Sequence, residues 1–182
     1  MRKEVASGTI LILLLTNMLT LAFNIQPAVA SGTICIRADG SIDPSTAPIQ
    51  RVGDIYTLTD DINDSIVVEK DNIVIRGAGY TIQGTGVAFS AGVELSGRTN
   101  VTVQNARIND FDYGIRLMSS SSYNSISGNN ITNNGLGIEV QWTCNYNNIS
   151  GNTVTANSYG IRLLYSCNHN IISGNNMPNS DS

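Results

Sequence analysis

Charge is scarce in this chain, and so are rings. Charged residues make up 13% of the sequence, aromatics 6%, and there is a single histidine. Lysine and arginine gather nowhere and the formal balance is −4, so the chain lacks the electrostatic footprint of a nucleic-acid binder. After the first thirty residues no run is apolar enough to cross a bilayer, and no segment shows the 3.6-residue spacing of an amphipathic helix. What the chain has in quantity is Asn, Ser, Gly and Thr, crowded into its second half. Without order that composition would mean low complexity. The order of its isoleucines argues otherwise.

Residues 1–30 read as a secretory signal peptide: Arg2 and Lys3, an apolar run from Ile10 to Phe23, then Pro27 and Ala28-Val29-Ala30 before Ser31. The alternative, a membrane anchor, asks more of a run this short and broken by Asn17. Removal of the leader leaves 8 basic and 13 acidic residues on a soluble, exported chain without a membrane span. Its expected location is extracellular or in the cell envelope. Residues 31–53, with little periodicity, are expected to form a lead-in or N-terminal cap, and residues 54–182 the repeats.

The repeats count in steps of 23. "NSISGNNITNNGLGIEVQWTCNYN" from Asn124 is followed in register by "NNISGNTVTANSYGIRLLYSCNHN" from Asn147, and "NIISGNNM" opens the next copy at Asn170. Gly114, Gly137 and Gly160 are 23 apart and Gly92 lies 22 before the first, each opening an aliphatic-charge-aliphatic quartet: GVEL, GIRL, GIEV, GIRL. That alternation is the signature of a strand with one buried face. A second short strand centres on Val101-Thr102-Val103 and its copies, a third on Ile108, Ile131, Val154 and Met177. Three strands per constant period leave no room for hairpins or helical crossovers. The chain is therefore expected to coil as an all-β, right-handed parallel β-helix of about 23 residues per coil. Leucine-rich repeats share the period but need an L-x-x-L-x-L frame that is absent, and a β-sandwich would show alternation without register.

The register stacks Ile115, Ile138 and Ile161 inside, and places Glu94, Arg116, Glu139 and Arg162 in one outward column whose signs alternate. Opposite charges on neighbouring strands attract, but as exposed pairs they are expected to contribute at most about 1 kcal/mol each. Asn124, Asn147 and Asn170 form one corner column, and Asn129, Asn152 and Asn175 another. Asparagine tolerates left-handed backbone, and its amide can bond to the amides above and below. "SIVVEKDNIVIRGAGYTI" is a looser copy, and Gly84–Ser90 read as a loop inserted in the next coil. The chain stops partway through a coil, which leaves a strand edge open to end-to-end self-association. Four N-x-S/T sequons, at Asn63, Asn100, Asn130 and Asn148, arise easily by accident in so Asn-rich a chain, and two are expected to fall in ladders.

The phrases "NSISGNNITNN", "YGIRL" and "SSSSYN" resemble the NosD-like family of parallel β-helix repeat proteins, named for a periplasmic copper-binding protein. The resemblance covers about Asn72 to Pro178. It implies export, the right-handed β-helix, and surface, carbohydrate-related or metal-accessory roles. It brings no catalytic motif.

Three constellations remain. Cys144 and Cys167 should face each other across adjacent coils, as a disulfide or as two stacked thiols, with Cys35 unpaired. With His169 they would offer Cu(I) soft and imidazole donors, although His169 also continues the column Tyr123, Tyr146, which reads as ring stacking. Asp110 and Asp112 in "NDFDYG" are the best carboxylate pair for acid-base cleavage of a polysaccharide, but they sit at a corner, where Asp is an ordinary turn former. The sequence implies no cofactor. Its reading is a secreted, non-catalytic β-helix for surface attachment or glycan binding, with polysaccharide or a cell-envelope component as partner. A polysaccharide lyase or hydrolase and a copper accessory stand as alternatives.

Overall fold

Each coil of residues 32–178, the part of the chain described by the computed structural model, contributes short strands to three parallel sheets. Sheet A stacks Ile34–Ile36, Ile66–Val68, Ala91–Ser96, Tyr113–Met118, Leu136–Gln141 and Tyr159–Leu164 in that order, with Ile42–Asp43 added antiparallel at its start. Sheet B runs from Ile55–Leu58 to Ile171–Ser173, likewise opened by an antiparallel strand, Ile49–Val52. Sheet C holds four three-residue strands, among them Arg107–Asn109 and Asn130–Thr132. The described residues contain no helix, so none long and apolar enough to cross a membrane. The expected leader falls outside the described residues.

The 23-residue register holds at every later coil: Ile115 pairs with Ile138 and Ile138 with Ile161, while Val93 pairs with Ile115 across the 22-residue step. Ile115, Ile138, Leu117 and Val140 are fully buried, each burial worth about 1.5–3 kcal/mol. The glycines that open the first three quartets, Gly92, Gly114 and Gly137, are explained by crowding. A Cβ on Gly137 would lie 2.4 Å from Val154 Cγ1 and 2.5 Å from Gly160 O. Only hydrogen fits there. Gly128, Gly151 and Gly174 answer a different need, since their φ values of 62–65° place them in the left-handed region.

The corner columns are hydrogen-bonded ladders. Asn152 Oδ1 accepts both the backbone N–H and the side-chain amide of Asn129 at 3.0 Å, and its own Nδ2 donates to Ile126 O and to Asn175 Oδ1. Asn124, Asn147 and Asn170 repeat the pattern. A third ladder, Asn134 on Asn157, was not expected, because the preceding coil has Phe111 at that position. The ladders use Asn129 and Asn147 rather than the adjacent sequon residues Asn130 and Asn148, which are exposed. The expectation that two sequons lie in ladders is thus off by one residue.

The charged column is also corrected in one respect. Its register is as expected, but Glu139 is not exposed: its side chain keeps 2% of its accessible surface, between Arg162 Nη2 at 2.5 Å and Arg116 Nε at 3.7 Å. The two guanidiniums also lie over the rings of Tyr113 and Tyr159. Pointing away from the core is not the same as facing water when the coils above and below carry long side chains.

Candidate functional site

Each of the two expected carboxylates is engaged by another group. Asp110 Oδ2 accepts from Gln83 Nε2 at 2.6 Å, and Asp112 Oδ2 accepts the N–H of Phe89 at 2.7 Å. Gly86 N donates to Asp110 O, and Asp112 N to Ser90 Oγ. The Asp110 carbonyl and the Asp112 carboxylate thus hold the 84–90 loop, and Arg116 is turned to Glu139.

Cys144 and Cys167 are brought together, as free thiols. Cys167 Sγ accepts the backbone N–H of Cys144 at 3.3 Å, and each thiol donates to the carbonyl three residues back, Gln141 and Leu164. Ser121 does the same work one coil earlier: its Oγ accepts from Arg98 N and donates to Met118 O. The thiols thus replace a corner hydroxyl. Burial, and then the neighbouring Cys167, push the Cys144 thiol up to about 11. A thiol that binds its proton more tightly when folded adds stability that is complete below its unfolded value of 9.0 and is lost as the pH rises through 11. Thermal melts between these limits should show the loss, and Cys144→Ser should flatten the profile there.

The same corner, between sheets A and B, carries five exposed rings. Tyr123, Tyr146 and His169 stack with centroids 5.1 and 4.8 Å apart and planes within 10° of parallel. Beside them Trp142 stacks on Tyr165 at 6.3 Å. The first column was legible in the sequence; the second was missed, although following Gly97 through Ser119 in register would have reached it.

All five rings sit on residues with φ between 56° and 61°. Left-handed backbone costs an L-residue roughly 1–2 kcal/mol, and glycine or asparagine carries it more cheaply. Earlier coils use those residues: Asn72 and Asn100 precede Tyr123, and Gly97 precedes Ser119 and Trp142. The turn therefore does not require rings. They remain exposed, Trp142 by 45% and Tyr165 by 64%. Tyr146 has a ring against each face and presents its edge and hydroxyl. Trp142 has a ring on one side only, since the preceding coil offers Ser119, which with Ser120 is exposed.

Residues 48–182 match the family model described as "Periplasmic copper-binding protein (NosD)". The chain belongs to the NosD family. No curated protein and no solved structure matches it. The family's description raises copper, and the donors here do not fit it. Cys144 is fully buried with its thiol hydrogen-bonded and held protonated, whereas Cu(I) sites bind thiolate. His169 lies exposed and flat on Tyr146 at the outer corner. Among the described residues no group of three or more His, Cys, Asp or Glu is arranged to hold an ion.

Proposed function

We propose that this NosD-family chain is a non-catalytic solenoid acting outside the cytoplasm, and that it binds glycan along the corner between sheets A and B. The family's periplasmic description agrees with such a location. The observation that carries the reading is the replacement of Gly97, Asn72 and Asn100 by exposed rings at turns that glycine and asparagine already satisfy. A flat apolar ring edged by hydroxyls is what a sugar needs, since a pyranose has apolar faces and a rim of hydrogen-bonding groups. One sugar stacks on the open side of Trp142 above Ser119 and Ser120, and the phenol edges of Tyr123 and Tyr146 extend the contact to its neighbours.

Trp142 is the only tryptophan in the chain, so its emission reports on this corner alone. Soluble fragments of a recognised polysaccharide should shift or quench it saturably. In affinity electrophoresis through acidic and neutral polysaccharides, Trp142→Ala should weaken retention about tenfold, roughly 1.4 kcal/mol. Retention that survives Trp142→Ala unchanged would remove the corner from the reading.

A further inference from the structure

The 84–90 segment is an addition to the coil. Across it Ile66 pairs with Val93 and Val74 with Thr102, 27 and 28 residues apart, where later coils take 23. The extra residues are not loose. Gly84 N donates to Asn109 O, Gly86 N to Asp110 O, Phe89 N to Asp112 Oδ2, and Ser90 Oγ to Val87 O. Held in this way, the segment borders an open cavity of about 290 Å³ on the outer face of sheet A.

Thr33, Ser65, Val67, Phe89, Ser90 and Glu94 line it. Three of these carry polar groups that the fold leaves unspent. Among the described residues Glu94 makes neither a hydrogen bond nor an ion pair, because Arg116, its neighbour in register, is drawn to Glu139 and Tyr113. The hydroxyls of Thr33 and Ser65 are likewise unengaged among the described residues. Phe89, also at the cavity, is 77% exposed at φ 62°, a backbone region unfavourable to a bulky side chain, and its backbone N–H is held by Asp112. One aromatic ring, one carboxylate and two hydroxyls without partners among the described residues therefore line the same cavity.

We infer that this cavity is a binding site for a single pyranose ring, with Glu94 accepting hydrogen bonds from two sugar hydroxyls and Phe89 covering an apolar face of the ring. Hydrogen bonds to a carboxylate are about twice as strong as neutral ones, which makes Glu94 the main polar contact. The volume sits at the lower end of small-molecule pockets, roughly 300–1,000 Å³, and so admits a monosaccharide rather than a chain. The site is separate from the aromatic corner and does not depend on it.

The test uses the whole exported chain and a panel of methyl glycosides of the gluco, galacto and manno series, followed by protein-detected NMR titration. At least one glycoside should bind in the millimolar range or tighter. Glu94→Gln and Phe89→Ala, both at the surface, should each weaken that binding tenfold or more while leaving the melting temperature in place and the Trp142 response to polysaccharide unchanged. Absence of binding across the panel, or wild-type binding by either variant, overturns the assignment. Loss of the Trp142 response with the glycoside titration intact would instead count against the corner.

Discussion

Glu139→Ala is expected to destabilise the protein by about 3–5 kcal/mol, whereas Glu94→Ala, the same change two coils earlier in the same column, should cost no more than about 0.5 kcal/mol. The two glutamates share strand position and outward direction. They differ in what surrounds them. Glu139 is shut between Arg162 and Arg116 with 2% of its side-chain surface accessible. Removing it leaves two guanidiniums, 15% and 34% accessible, facing one another without their anion. An uncompensated buried charge is what makes breaking such a pair expensive, even where the intact pair adds little over an apolar substitute. Replacing Arg116, Glu139 and Arg162 together with leucine should therefore cost less than removing Glu139 alone. Urea denaturation of the three variants measures this, and a loss under about 1 kcal/mol for Glu139→Ala would mean that water reaches the column in solution.

Asn152→Ala should cost about 2–4 kcal/mol, with Asn130→Ala near zero as its exposed counterpart. Alanine at 152 removes the acceptor of the Asn129 N–H and the donor to Ile126 O, and both backbone groups are closed off from water by the coil. Each orphaned group costs about 1–3 kcal/mol, a large share of the roughly 5–15 kcal/mol that holds a domain folded. Asn152→Asp should be no milder. It restores the acceptor but loses the donor and buries a charge. A fall in melting temperature no larger for Asn152→Ala than for Asn130→Ala would show the ladder to be a consequence of the corners rather than a support for them.

The register and the ladders could be read without coordinates because each coil meets its neighbours with the same residues. A repeated Asn or Ile answers to its own copies, so spacing alone names the contact. Departures from the repeat were harder. Asn134 and Asn157 form a ladder of two because Phe111 interrupts it one coil earlier, and a column with one odd member does not announce itself. Asp110 and Asp112 read as a candidate pair because they are two residues apart in the sequence. Which partners claim them depends on how an inserted loop folds back.

The period, the parallel pairing, the alternation of signs and the corners where Asn and Gly recur are all written in the order of the residues, since each is set between a residue and its own copy one turn away. Only the tertiary structure decided that Glu139 is closed off while Glu94 is free, that five exposed rings share one corner, and that the 84–90 segment forms a cavity with Thr33 and Ser65. Those properties arise between unlike residues from coils of unequal length. Access to solvent and closure of a pocket depend on the direction and reach of side chains, which a residue's place in the repeat does not specify.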